Sequence, residues 1–275
     1  MTLNLLTQVP EGLVMLADSM VSASEIVDGE VQYFSFEHAR KLFHLGEACP
    51  AAAMISGAGS LGSSPVGQLL RDASRFLDAL KTPVDHNTCL KVIADCISPK
   101  YDEFAAEIRE HTAKRQPVAE QIEYPELTVI VGSYFEDVRA SELSWPGAKR
   151  FDLIKDSGGR LCLWGSGSAV LRRLIRGIDL ESLAADAGET PAAADALRYF
   201  EVNERRYAMP LAIEVMPVQQ AIYFAEYLAS VAAGYDRFKV GPHTVGGEVD
   251  VIALVDRKLK WIHKQRLISS LDDPS

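Results

Sequence analysis

Met1-Thr2-Leu3-Asn4-Leu5-Leu6-Thr7-Gln8-Val9-Pro10-Glu11-Gly12-Leu13-Val14-Met15-Leu16-Ala17-Asp18 opens the chain, and its reading decides the fold. Two short apolar strands, 3–8 and 13–18, flank a Pro10-Glu11-Gly12 turn, so the segment predicts a β-hairpin. A threonine stands directly behind the methionine, and an aspartate closes the second strand. Methionine aminopeptidase removes Met1 readily when a small residue follows, so Thr2 is placed to become an amino terminus. A terminal threonine carries a hydroxyl and an amine on adjacent carbons. An α-amine with an unperturbed pKa of about 7.7–8.0 can serve as general base for that hydroxyl near neutral pH. The plainer alternative is an ordinary second residue.

Outward from the hairpin, residues 39–45 and 51–56 read as strands, the second buried because 51–55 is wholly apolar. A small-residue loop, 57–65, leads into a helix near 65–81, where Val66, Leu69, Leu70, Ala73, Phe76, Leu77 and Leu80 keep helical period. A second helix falls within 86–114, with Pro99 interrupting its pattern. Strands resume at Leu127 and continue through 150–154 and 160–164. Helices are expected near 168–176 and 217–234, and final strands at 248–255 and 259–263. The polar tail 270–275 reads as frayed. This pattern supports an α/β or α+β class.

Composition suits one large domain with a substantial core: 275 residues, 48% hydrophobic and 24% charged. A net charge of −10 argues against a nucleic-acid surface. Cys49, Cys89, Cys96 and Cys162 lack metal-ligand spacing and read as reduced, mostly buried thiols. With no signal segment and no membrane-length apolar run, a soluble cytoplasmic protein is expected. His38 and His44, six apart on an expected strand, lack a third ligand. The stretch Gly57 to Gly62 lacks the lysine of a phosphate loop. Gly165-Ser166-Gly167 has no Asp and His partners for a nucleophile elbow.

In shared order, several fragments resemble the proteasome β-subunit family of N-terminal nucleophile hydrolases. With Thr2 at that family's nucleophile, Gly12 and Asp18 fall in register without insertion, and Glu11 to Ser19 is similar to its DGVVLAADS strand. Arg40-Lys41-Leu42-Phe43-His44-Leu45 resembles its lysine-bearing strand, and Ile55-Ser56-Gly57-Ala58-Gly59 a family loop. Gly165-Ser166-Gly167-Ser168 resembles its GSGS turn, and Val245-Gly246-Gly247-Glu248-Val249-Asp250 its late glycine pair. Two features depart from the pattern. Extra sequence lies between Asp18 and Lys41 and within about 180–217. The family's aspartate and serine that support the threonine amine correspond here to Pro242 and Val245. Asp236, Thr244 or a shifted loop are the candidates to replace them.

The resemblance implies an α+β fold, a four-layer αββα sandwich spanning 1–275 as a single domain. It implies a threonine peptidase that cleaves peptide bonds through an acyl-enzyme on Thr2. Thr2 would begin an edge hairpin, with Lys41 favouring the alkoxide and Asp18 holding Lys41 charged. Gly57 would donate its N–H to the oxyanion. Ser166 would support the Thr2 amine, or else cap the helix after Gly167. Met20 and Ile55 would line an uncharged pocket, with Ser22 and Gly59 bonding the peptide backbone. No metal and no cofactor are implied. The implied partners are a peptide or unfolded protein substrate and further copies of the chain, in a ring or helical stack joined through the helices at 65–81 and 168–176. An ATPase partner is left open. The length, with no obvious propeptide, fits the bacterial ancestral β-subunit-like relatives. The alternatives are an N-terminal nucleophile amidase acting on a small metabolite and a catalytically silent structural subunit.

Overall fold

The first hairpin, β1 (Asn4–Val9) and β2 (Gly12–Asp18), lies at the centre of a sheet in the computed structural model, which describes residues 2–27, 30–47, 49–115, 124–154, 158–177, 183–184, 190–207 and 210–264. The remaining strands are β3 (Val21–Val27), β4 (Glu30–Phe36), β5 (Leu42–His44), β6 (Ala51–Gly57), β7 (Ser60–Leu61), β8 (Ser64–Pro65), β9 (Leu127–Tyr134), β10 (Val138–Trp145), β11 (Lys149–Asp152), β12 (Arg160–Trp164), β13 (Val249–Val255) and β14 (Lys258–His263). The helices are α1 (Val66–Ala79), α2 (His86–Arg115), α3 (Ser168–Arg176), α4 (Pro191–Tyr207) and α5 (Val218–Asp236).

The chain mixes helices with antiparallel sheets. A first sheet has the order β12-β1-β2-β13-β14, and a second the order β11-β10-β9-β6-β5. The opening hairpin is therefore not at an edge, as the sequence suggested. Its strands are buried along their whole length, and a strand covered on both faces reads as an unbroken apolar run at an edge or in a centre alike.

The two-residue period then sorts each run between two cores. Leu6, Leu13, Met15, Ile252 and Leu254 of the first sheet meet Leu42, Ala52, Met54 and Ile130 of the second in one buried cluster. The alternate residues Leu5, Val14, Leu16, Val251 and Ala253 pack with Leu171 and Ile175 of α3 and Ala221, Ala225 and Leu228 of α5. On the far side of the second sheet, Ala51, Ala53, Val129 and Val131 pack with Leu70, Ala73 and Leu77 of α1 and Ile93 and Ile97 of α2.

Pro99 does not interrupt α2. The proline leaves the Asp95 carbonyl without its helical donor, a loss of about 3 kcal/mol. Both residues face solvent, so water can satisfy that carbonyl. The buried stripe Cys89, Leu90, Ile93, Ile97 and Tyr101 runs straight through the site, and each such side chain contributes roughly 1.5–3 kcal/mol by burial. The stripe outweighs the break.

Three further differences from the expected elements concern connections. The extra sequence after Asp18 forms the β3–β4 hairpin, paired Ser22 to Ser35. The expected strand 39–45 is only Leu42–His44. His38 has a left-handed φ of 72° and shares no strand with His44, whose Nε2 bonds the Cys49 carbonyl. Of the expected insertion, α4 and the stretch from 210 are described, while the tail 270–275 lies outside the described residues. Among the described residues no helix is long and apolar enough to cross a membrane.

Candidate active site

Thr2, Asp18 and Lys41 converge at one end of the two sheets. Antiparallel pairing of β1 with β2 continues past its last pair to bring Asp18 beside Leu3, whose carbonyl accepts the Asp18 N–H at 3.1 Å. Lys41 comes from the other sheet, one residue before β5, where its carbonyl accepts the Ile55 N–H. Its side chain crosses to the first sheet. All three residues are buried, with exposures of 3%, 2% and 7%.

Their hydrogen bonds form a closed triangle. The Thr2 hydroxyl donates to Asp18 Oδ1 at 2.7 Å, and Lys41 Nζ donates to Thr2 Oγ1 at 2.7 Å and to Asp18 Oδ1 at 2.6 Å. Lys41 Nζ also donates to the Met20 carbonyl. Three acceptors match the three protons of an ammonium, whereas a neutral amine would turn a lone pair toward one of the oxygens. Burial pushes the Lys41 ammonium below its ordinary value, and the adjoining Asp18 charge and hydrogen bond oppose that push. Asp18 also accepts the Leu3 N–H at 2.9 Å on Oδ1 and the Gly246 N–H at 3.2 Å on Oδ2. The late glycine pair thus touches the first hairpin directly.

The flanking segments are also placed by local geometry. Asn4 Nδ2 donates to the Ile55 carbonyl at 2.8 Å, tying the end of β6 to the start of β1. Gly57 closes β6 with φ 88°, and a Cβ there would lie 2.2 Å from the Glu126 carbonyl oxygen, so only glycine fits. Gly165 has φ 86° and packs so tightly on Thr2 that a Cβ would lie 1.9 Å from the Thr2 carbonyl oxygen.

Ser166 does not cap α3, whose first turn has no side-chain capping bond. Its hydroxyl donates to Thr244 Oγ1 at 2.9 Å. Thr244 in turn donates to Asp236 Oδ1 at 3.0 Å and accepts from Lys239 Nζ at 2.7 Å, while Lys239 pairs with Asp236 at 2.6 Å. Burial pushes the Asp236 carboxyl up. Hydrogen bonds from Lys239, from the Thr244 and Val245 amides and from the Thr244 hydroxyl outweigh burial and hold it below the usual carboxylate range. Val245 itself is buried in the core beneath α3 and α5.

The residues expected to contact substrate are more dispersed. Met20 is nearly buried and offers its carbonyl to Lys41. The Ile55 side chain packs in the cluster under α1 and α2. The Ser22 hydroxyl is committed to the His243 carbonyl at 2.9 Å, as is that of Ser35. Gly59 is exposed, and its carbonyl accepts the Val66 N–H that starts α1.

Sequence reasoning singled out Asp236 and Thr244 only as substitutes, named Gly246 only as part of the late glycine pair, and passed over Lys239. The available signal was an Asp, a Lys and a Thr crowded between a helix end and a glycine pair. Comparison with family models and with curated proteins finds no match.

Proposed function

We propose that this chain is an N-terminal nucleophile hydrolase of the threonine peptidase type, in which Thr2, freed of Met1, attacks a peptide carbonyl through Oγ1. The observation that carries the reading is the buried triangle of Thr2 Oγ1, Lys41 Nζ and Asp18 Oδ1, all within 2.7 Å of one another. The succession of α1 and α2, second sheet, first sheet, then α3 and α5 supports it further, since this is the layer order of the αββα sandwich of that class.

In this reading the Thr2 amine takes the Oγ1 proton as Oγ1 bonds to the substrate carbonyl carbon. Removal of Met1 is a chemical requirement, because a nitrogen acylated by methionine is an amide without a basic lone pair. The developing negative charge sits against the Lys41 ammonium, which Asp18 keeps charged. Gly57 N–H is assigned to the tetrahedral oxyanion. As that intermediate collapses, the amine returns the proton to the leaving nitrogen, and the first product departs. Water then attacks the ester on Oγ1, with the amine again as base, and releases the second product. The substrates are peptides or unfolded protein, cut within a homo-oligomeric ring or stack in the cytoplasm.

Intact-mass measurement of the purified chain is expected to show loss of Met1. Thr2→Ala is expected to remain folded and to abolish hydrolysis of fluorogenic peptides. A peptide epoxyketone is expected to add at Thr2 alone. Undiminished hydrolysis by Thr2→Ala overturns the reading.

A further inference from the structure

A second arrangement of threonine, aspartate and lysine, with Thr244 and Asp236 buried and Lys239 half-buried, is bonded by Ser166, whose neighbour Gly165 packs on Thr2. The pairing of Asn4 with Trp164 carries the next residues, Gly165 and Ser166, alongside Leu3 and Thr2, and Gly165 packs directly on the Thr2 carbonyl. A hydroxyl has one proton to give and two lone pairs to receive. Thr244 receives from Lys239 and from Ser166 and gives its proton to Asp236. It is saturated, and the Ser166 proton is committed away from Thr2. Ser166 therefore has only lone pairs left for the Thr2 side, an acceptor for an amine N–H that leaves the amine's own lone pair free for Oγ1.

The charges around this chain are few. β2 brings Asp18 and the segment before β5 brings Lys41. The end of α5 and the loop after it bring Asp236, Lys239 and His243, whose Nδ1 lies 3.5 Å from Asp236 Oδ2. The turn between β12 and α3 brings no charge, as it reads Gly165-Ser166-Gly167. Asp18 is matched by Lys41 and Asp236 by Lys239, and β13 brings a further buried carboxylate, Asp250, opposite Ala17 of β2.

We infer that Lys239 is a positioning residue for the proposed nucleophile, neutralising Asp236 and orienting the Thr244–Ser166 chain, and so setting the basicity of the Thr2 amine. The inference rests on the reading of Thr2 as nucleophile. Without Lys239, Asp236 leaves an unmatched negative charge behind Ser166, which stabilises the protonated amine and delays its release as a base to higher pH. Without the Asp236 charge, Lys239 leaves an unmatched positive one, and the effect reverses.

The test is the pH dependence of Thr2 acylation by an alkyl β-lactone, followed by intact mass. Oγ1 bonds to the lactone carbonyl carbon, the acyl–oxygen ring bond breaks, and the proton the amine took from Oγ1 passes to the freed ring oxygen. All variants are made in a His243→Gln parent, so that the ring beside Asp236 contributes no charge. In the parent the rate is expected to rise with pH as the amine deprotonates. Lys239→Met is expected to move the midpoint up by roughly 0.5–1 pH unit and Asp236→Asn to move it down by a similar amount. Lys239→Arg is expected to keep the parent midpoint, and the double variant Lys239→Met, Asp236→Asn to return to it. The Lys239 side chain is 25% exposed, so methionine can occupy its stem, and the opposite shift in Asp236→Asn stands independently if it cannot. Midpoints that stay put in a parent acylated at Thr2 overturn the inference. A parent that the lactone does not modify at Thr2 overturns the underlying reading instead.

Discussion

Lys41 is the residue on which stability and proposed chemistry pull together. Its ammonium spends all three protons on Thr2, Asp18 and Met20. Lys41→Ala leaves the Asp18 carboxylate buried without its counter-charge, a loss of roughly 3–5 kcal/mol. The same change removes the positive charge beside Oγ1, a contribution comparable to that of an oxyanion donor, about 10²–10³ in rate. Lys41→Ala is therefore expected to melt well below wild type and to lose about 10²–10³ in turnover. Asp18→Asn, which leaves the lysine unmatched, is also expected to be impaired. The double variant Lys41→Ala, Asp18→Asn separates the two effects, since no unmatched charge remains in it. It is expected to regain much of the lost melting temperature and none of the rate, by thermal denaturation beside peptide hydrolysis. A double variant that also regains rate would show that Lys41 acts on the fold alone.

At the scale of elements, His86 shows how α2 is fastened to the second sheet. Its Nδ1 lies 2.8 Å from the Ser133 hydroxyl of β9 and its Nε2 2.9 Å from the Ser141 hydroxyl of β10. Ser141 gives its proton to Asp152 of β11 at 2.7 Å, so it accepts from Nε2–H, and Ser133 gives its proton to Nδ1. This chain of bonds holds the ring neutral. Burial, with the Arg150 and Arg139 guanidiniums nearby, pushes its pKa from 6.5 down to about 4. Above pH 6.5 the folded and unfolded chains both carry neutral His86, and the residue adds no pH dependence. As pH falls from 6.5 to about 4, the unfolded chain gains a proton that the folded chain refuses. Stability falls over that window by roughly 3 kcal/mol. Urea denaturation of wild type is expected to weaken more steeply across this window than that of His86→Gln, and parallel curves would dissociate His86 from the acid sensitivity.

For the whole molecule, the proposed chamber requires more than one copy. Phe76 on α1 and Leu174 on α3 are apolar and exposed, on the two helices expected to carry subunit contacts. Size-exclusion chromatography with light scattering is expected to give a mass well above the 30.1 kDa of one chain, reduced by Phe76→Asp. A clean monomer removes the chamber. With no charged side chain expected in the substrate pocket, a fluorogenic peptide panel is expected to favour apolar or small residues before the cut. A strong preference for charged ones would assign the pocket to other groups.

Local pattern was enough to reveal most of the elements. Apolar residues three and four apart do not line one face of a strand, so Val66, Leu70, Ala73 and Leu77 marked α1 within two residues of its ends, and the helix expected near 168–176 is α3, Ser168–Arg176. The opening hairpin was legible from its turn and its apolar runs. Its central place was not, because burial on both faces erases the difference between edge and centre. Pro99 misled for a related reason: its local cost is visible in sequence, while the five buried side chains that offset it depend on what α2 packs against. At the candidate site, Thr2, Asp18 and Lys41 were singled out through the family resemblance of the fragments that carry them, and the structure brings the three together. The bond from Gly246 to Asp18 was not legible, because it exists only once β13 has paired with β2, and Lys239 was missed with the Asp236 pair it makes. The sequence by itself determined most of the helices and strands, and which residue types could do the chemistry. Only the tertiary structure decided which charges face one another, since a hydrogen bond reaches about 3 Å and no spacing along the chain measures that distance.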